Sequence, residues 1–308
     1  MSVYAASRVK QIMDKTVQDA LTPLINASNA VEQVEAWLCD DSSKISYKKE
    51  LVFMVLRSLL NQEKSAIDYA ANVGLNEWNA ALERVMKMRD AGEVPRLHTP
   101  PLLDWIEKYM YASTFIYNQY NYGHIGPQDK IMLDCGAFCG DTSVWAVMRG
   151  ARHVYAFEPF PDSLSCLKKN AELFGQNRIT PVPAGVGKNA GKFSIQEPGV
   201  NNSYGAKIFP ARDGGNNIDV VSLDAWCEQN RVIPGFIKMD VEGSEMAALE
   251  GARQIIRKHK PQLAVSLYYT MSDMWNIPIL IKQILPEYRF WCRKNALYVE
   301  FVLYASVS

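Results

Sequence analysis

From Lys130 onward short apolar runs alternate with amphipathic stretches. IMLDC precedes a helical pattern from Thr142, HVYAFEP one from Asp162 to Phe174, GFIKMDV one from Glu245 to Lys258, and QLAVSLYY one near Ile277 to Leu285, with the run ITPVPAG between the second and third. Strand and helix in regular succession predict an α/β protein: a doubly wound, mostly parallel sheet covered on both faces. The end departs from this rhythm. RFWCRK and LYVEFVLYA are separated by a short turn around Asn295, which predicts a C-terminal antiparallel hairpin in the sheet.

The first hundred residues read as helical. Trp78, Ala81, Leu82, Val85 and Met88 recur at steps of three and four, with Asn76 placed to cap the helix and Gly92 and Pro95 to end it. Tyr47 to Leu60 gives a similar pattern, and Ser65 with Asp68 suggests a capping box. The prolines of PRLHTPP, Pro95 to Pro101, mark a junction, after which Leu102 to Tyr111 resumes a helix and an aromatic segment runs from Phe115 to His124. The expected division is a small helical domain over residues 1–98 and a sheet domain over 99–308. The helical part carries no recognisable chemistry; packing on the rest, lidding it, or joining two copies in a homo-oligomer are its open roles.

Composition narrows the class. A chain of 308 residues, 48% hydrophobic and 21% charged, can bury a large core, which excludes disorder as its dominant state. With 33 Lys+Arg against 33 Asp+Glu, it lacks the charge footprint of a nucleic-acid or anionic-membrane binder. MSVYAASRVKQIMDKT has no apolar targeting core, and the densest apolar run near it, Leu51 to Leu56, is too short to span a bilayer, so a cytoplasmic location is expected. Six cysteines without CxxC spacing read as free thiols, and Cys135 with Cys139 lacks a second ligand pair, so no metal is expected.

Candidate chemistry begins where the first strand ends, in Asp134-Cys-Gly136-Ala137-Phe-Cys-Gly140-Asp141-Thr142. Two glycines let the backbone bend and a ligand approach, and the following helix offers free N–H groups. A dinucleotide site would carry a middle glycine where this chain has Phe138, which favours a phosphate-free ligand over NAD. The second strand ends in Phe157-Glu158-Pro159, where a carboxylate can accept from two ribose hydroxyls. IKMDVEGSEMAALEGA places Asp240 and Glu242 at the carboxyl end of a third strand, with Gly243 for the turn, Ser244 as helix cap and Glu245 in the first turn. These acids can bind an ammonium, orient a hydroxyl or act as base; helix-end charge complementarity explains Glu245 equally well.

DCGAFCGDT, AFEPFP and IKMDVEGSEMAALEGA together resemble the FkbM-type S-adenosylmethionine-dependent methyltransferases, a branch of the class I, Rossmann-like fold. The resemblance covers roughly Gln119 to Ala305 and leaves out the N-terminal helices. It implies a S-adenosyl-L-methionine site formed by Asp134, Gly136, Ala137, Gly140, Asp141 and Thr142, with Glu158 and Pro159 at the ribose and Ala184 and Gly185, up to Val186, near the adenine. Asp240 would face the reaction cleft, and Asp240 or Glu242 would orient the acceptor or take its proton. The implied reaction is O-methylation of a hydroxyl on a sugar, glycan or secondary metabolite.

One departure stands out: many relatives carry His where this chain has Tyr269, and further His where it has Arg293-Lys294-Asn295. His98, His124, His153 and His259 lie elsewhere, the last two at the amino end of the sheet as surface or packing residues. Tyr268 or Tyr269 then stands in for the missing His, or the chain is a non-catalytic cofactor- or partner-binding protein that retains the fold. The segment 191–217, rich in Gly, Asn and Pro, interrupts the strand–helix rhythm. It reads as a long polar loop whose Asn201, Asn202, Ser203 and Tyr204 contact substrate, or as a surface hairpin. Tyr117, Tyr120 and Tyr122 close over the cofactor or pack in the core.

Overall fold

The computed structural model describes residues 15–60, 75–102, 104–196, 207–210, 217–294 and 300–308. Ser65, Asp68, Asn201, Asn202, Ser203, Tyr204, Asn295 and the side chain of Trp78 lie outside the described residues. A seven-stranded sheet carries the molecule, in the order β10-β11-β9-β8-β1-β2-β3. Its strands are β1 (Ile131–Cys135), β2 (His153–Phe157), β3 (Ile179–Val182), β8 (Phe236–Met239), β9 (Gln262–Ser266), β10 (Arg289–Lys294) and β11 (Phe301–Ser306). The pairs among β3, β2, β1, β8 and β9 are parallel, while β11 runs antiparallel to both β9 and β10. The doubly wound sheet and terminal hairpin expected from the pattern are therefore present.

Side chains alternate across this sheet, as the strand period requires. Leu133, Cys135, Ile237, Met239, Leu263 and Val265 face one core, and Met132, Val154, Ala156, Phe236 and Ala264 face the other. Helices α6 (Asp141–Met148) and α7 (Pro161–Phe174) follow β1 and β2. The stretch expected as one helix from Glu245 to Lys258 is two, α9 (Glu245–Glu250) and α10 (Arg253–His259). Gly251 sits at the break, where an added Cβ would meet the Gly187 carbonyl oxygen at 2.1 Å, so the chain turns at a point of close backbone approach. Helix α8 (Leu223–Asn230) precedes β8, and its cap is Ser222, whose Oγ accepts from the Ala225 N–H at 3.4 Å. Helix α11 (Asp273–Ile284) begins four residues before the expected Ile277.

Within the interruption at 191–217, the described residues 191–196, 207–210 and 217 are strand. β4 (Gly185–Val186), β5 (Gly191–Gln196), β6 (Lys207–Pro210) and β7 (Asn217–Val221) form a second sheet in the order β4-β7-β5-β6. β5 and β6 pair as an antiparallel hairpin, while Asn201, Asn202, Ser203 and Tyr204, expected to contact substrate, lie outside the described residues. The glycines and asparagines of this segment obscure the short strands, because those residues lower strand propensity.

The N-terminal helices are α1 (Lys15–Asn26), α2 (Ser28–Trp37), α3 (Asp41–Leu60), α4 (Leu75–Asp90) and α5 (Asp104–Tyr111), the last running into a π-helical turn, Ala112–Ile116. Asn76, expected as its cap, falls in the first turn of α4, and its side chain lies outside the described residues. These helices divide between the two faces. Val34, Leu38, Tyr47 and Leu51 join the first core, while Val85, Val94, Leu97 and Tyr109 join the second. Between α2 and α3, Cys39 N–H donates to the Phe290 carbonyl at 2.9 Å, which extends pairing at the β10 edge. At the Pro95–Pro101 junction, Asn170 of α7 accepts from the His98 N–H at 2.8 Å and donates to its carbonyl at 2.7 Å.

Candidate active site

Strand register places the site. Cys135 pairs with Phe157 on one side and with Met239 on the other, so Gly136, Glu158 and Asp240 each come one residue past the same rung. The strand order reverses between β1 and β8, and ligands of open α/β sheets bind at the carboxyl ends around such a reversal. Three sequence-predicted residues from distant segments thus meet at the point the topology favours.

The glycine turn needs its glycines. Gly136 has φ +79°, and a Cβ there would lie 1.8 Å from the Asp240 carbonyl oxygen; Gly140 has φ +85° and starts α6. Phe138, where a dinucleotide motif would have glycine, also sits in the left-handed region at φ +49°. That strained residue aims its N–H at Glu158 Oε2, 2.8 Å away, while Phe160 N–H donates to Oε1 at 2.9 Å. Burial pushes the Glu158 carboxyl up to about 8, against the pull of these two N–H groups.

Below the turn lies a buried ion pair that the sequence reading missed. Asp134 and Lys238 are register partners on β1 and β8, and Lys238 Nζ stands 3.0 Å from Asp134 Oδ1 with both side chains buried. Lys238 also donates to the Gly136 carbonyl, and Ser143 Oγ donates to Asp134 Oδ2 at 2.6 Å. Burial alone would lower the Lys238 pKa, but the carboxylates of Asp134 and Asp240 hold it above its ordinary value. The alternation of IKMD puts Lys238 on the same face as Asp134, a signal legible once the two strands are paired. Cys135 and Cys139 are buried free thiols.

Acids crowd the same end of the sheet. Asp141 is buried, accepts from Thr114 Oγ1 of the π-turn at 2.6 Å, and is raised by burial to about 6. Glu245 accepts from the Val241 N–H at 2.8 Å, and burial together with the Asp240 charge raises it to about 8. Its buried carboxyl closes the strand-to-helix turn, where Ser244 makes no side-chain cap. Glu300, beside Ser113 and Tyr109, is raised well above the ordinary range, first by burial and then by Asp240. Among the described residues Lys238 is the one lysine or arginine in the buried set.

Asp240 is ringed by phenols. Tyr120 donates to its Oδ2 at 2.7 Å, and Tyr268 and Tyr269 donate to Oδ1 at 2.8 and 2.7 Å. Glu242, half-buried, follows in the left-handed conformation at φ +54° beside exposed Gly243, where an added Cβ would lie 3.8 Å from the Tyr269 Cβ. Ala184, Gly185 and Val186 are buried after β3, and Thr142 is buried in the first turn of α6. Ala137 is buried and donates its N–H to the Phe157 carbonyl at 2.9 Å. The four histidines stand apart from this cluster: His153 contacts Thr180 Oγ1 at 2.8 Å, His124 contacts the Ser308 carbonyl at 2.7 Å, His98 is tied through its backbone, and His259 ends α10.

A doubly wound sheet with a hairpin end, a glycine turn after β1, an acid after β2 and an acid after β8 defines a protein of the class I methyltransferase type. A solved structure, methyltransferase FkbM from Methylobacillus flagellatus KT, matches 95% of this chain and 62% of that chain with a TM-score of 0.58 at 21% identity, a likeness of fold. The family model described as Methyltransferase FkbM domain matches residues 134–293, just over half of the chain. This chain belongs to the FkbM methyltransferase family. A curated relative, hexuronic acid methyltransferase AglP from Haloferax volcanii, is 26% identical over 125 residues, which are 40% of this chain. The matched part is 50% of that relative's length. Among the described residues no helix is long and apolar enough to cross a membrane.

Proposed function

We propose that this protein is a S-adenosylmethionine-dependent O-methyltransferase that modifies a hydroxyl of a sugar, glycan or secondary metabolite. The observation that carries this reading is the alignment of the Gly136 turn, Glu158 and Asp240 on one rung at the strand-order reversal. The chemistry of the donor set fits the cofactor. Each Glu158 oxygen accepts one N–H and keeps a second lone pair for a ribose hydroxyl. The surplus of buried acids over Lys238 suits a ligand that carries positive charge.

In this reading Gly136, Ala137 and Gly140 form the floor beneath the methionine end, with Asp141 and Thr142 opening the helix beside it. Asp134 holds that floor through Lys238, Glu158 and Pro159 take the ribose, and Ala184 and Gly185 border the adenine. When bound, the sulfonium supplies an activated methyl group, so the protein's work is orientation and removal of a proton. Tyr268 and Tyr269 would orient the acceptor hydroxyl, and Asp240 or Glu242 would receive its proton. The acidic lining favours a neutral hydroxyl over a carboxylate as the methylated group. The hexuronic acid named for the curated relative makes uronic-acid glycans the first acceptors to try.

Calorimetry with S-adenosylmethionine and with NAD, on the wild type and Glu158→Ala, tests the cofactor. Micromolar binding of the first alone, about −8 kcal/mol, weakened by the substitution, is expected; no heat with S-adenosylmethionine would overturn the reading. A labelled-methyl screen of glycans should then give a product stable to mild alkali, as an ether is, whereas an alkali-labile methyl ester would contradict hydroxyl methylation.

A further inference from the structure

Asp240 occupies an arrangement that proton removal does not by itself require. Its two carboxylate oxygens accept from the phenols of Tyr120, Tyr268 and Tyr269 at 2.7 to 2.8 Å, and the last two hydroxyls also touch at 3.0 Å. The rings of Tyr268 and Tyr269 lie 4.4 Å apart between centroids. Tyr120 is fixed from behind, because Gln119 Nε2 donates to its hydroxyl at 2.8 Å. A carboxylate set among aromatic rings is the chemistry that recognises a soft, weakly hydrated cation. The Tyr120 ring already serves one cation, since Lys238 Nζ stands 5.3 Å from its centroid.

Lys238 neutralises this cage only in part: its ammonium stands 3.0 Å from Asp134 and donates to the Gly136 carbonyl, and this single cation is shared between the Asp134 and Asp240 carboxylates. The other charged groups acting on Tyr268 and Tyr269 are acids: Asp240, Glu242 and, for Tyr269, Glu245. The cage also abuts the glycine turn, with the Asp240 carbonyl lying where a Gly136 Cβ would be. We infer that Asp240, caged by Tyr120, Tyr268 and Tyr269, reads the positive charge of the sulfonium and so separates S-adenosylmethionine from its neutral thioether product. This inference rests on the proposed cofactor, and adds that charge recognition resides in these four residues and weakens once the methyl group has left.

Calorimetry with S-adenosylmethionine and S-adenosylhomocysteine separates the two claims. Asp240→Asn should move the ratio of the two dissociation constants about tenfold toward the thioether, well within the attraction of two unit charges near a protein surface, with the loss falling on S-adenosylmethionine. Tyr269→Leu should move it in the same direction by less, and Tyr269→Phe, which keeps the ring, should leave it within about twofold. Equal weakening of both ligands in Asp240→Asn would mark a structural role and overturn the inference while leaving the cofactor assignment intact. If Asp240→Asn does not fold, as judged by its thermal transition, the half-buried Tyr269→Leu decides: an unchanged ratio there overturns the inference. Wild-type protein that binds neither ligand would overturn the cofactor assignment itself.

Discussion

Two regions of this molecule bury charge, and they do so in opposite ways. Where the N-terminal helices meet the edge strand β10, acids and bases are matched. Arg293 takes Asp40 at 3.2 Å and stacks 4.1 Å from the Tyr122 ring centroid, while Lys294 takes buried Glu50 at 2.8 Å and lies 4.0 Å from that of Phe53. At the carboxyl end of the sheet, Lys238 is matched to Asp134, yet Asp141, Glu158, Asp240, Glu245 and Glu300 crowd the same edge. Matched charge fastens parts together. Unmatched acid resists ionisation in a low-dielectric site, which is why burial lifts Glu158 and Glu245 to about 8, and that resistance is released when a cation arrives.

The largest expected effect comes from unmatching the pair beneath the cleft. Lys238→Met leaves Asp134 buried without its ammonium, and breaking such a pair costs about 3–5 kcal/mol. Urea unfolding should show that loss, and Asp134→Asn added to Lys238→Met should recover part of it. A single variant as stable as wild type would mean that the pair does not anchor the glycine turn.

Acid and base should separate the regions next. The folded Glu158, near 8, keeps a proton that the unfolded chain releases from its ordinary 4.5, so its stabilising contribution is full below about pH 4.5 and is lost as pH rises toward 8. Asp40 behaves oppositely. Burial pushes it up, but hydrogen bonds from Ser43, Arg293 and Tyr122 outweigh that and hold it at about 2, so its contribution is present above 3.8 and lost as pH falls through 2. Unfolding free energy should decline by a few kcal/mol between pH 5 and 8, and Glu158→Gln should flatten that slope without changing the acid limb. Asp40→Asn should flatten the acid limb alone.

A smaller change is expected at the clasp. Lys294→Met leaves Glu50 buried without that ammonium and should cost about 1–3 kcal/mol. Because α3 and the sheet share one core, the loss should appear in a single unfolding transition. Two transitions would instead support a helical domain over residues 1–98 that folds by itself.

The contrast also explains what the sequence could reveal. The sheet was legible because IMLDC, HVYAF, FIKM and QLAVS are short apolar runs broken at helical intervals, and Gly136, Glu158 and Asp240 were legible because strand ends are where ligands bind. The second sheet was not, since a two-residue strand and a Gly- and Asn-rich hairpin leave almost no alternation to read. Arg293 and Lys294 looked like a departure at the site. The fold instead uses them to fasten α3, a task visible only once Asp40 and Glu50 are beside them. Tyr120 stood out in the aromatic segment, but its bond to Asp240 was hidden, because the two lie 120 residues apart.

The smallest effect is expected at Phe138, where strain and hydrogen bonding oppose each other. A bulky residue at φ +49° costs about 1–2 kcal/mol relative to ordinary backbone, yet this conformation aims the N–H at Glu158 Oε2, 2.8 Å away. Asparagine accepts the left-handed region more readily but loses the packing of the ring against the second core. The two changes offset, so Phe138→Asn should shift unfolding free energy by less than about 1 kcal/mol. Valine, branched at Cβ, resists that conformation and should cost about 2 kcal/mol or more. If both variants destabilise equally in urea, side-chain packing outweighs backbone geometry, and the turn owes its shape to the ring instead of the carboxyl beneath it.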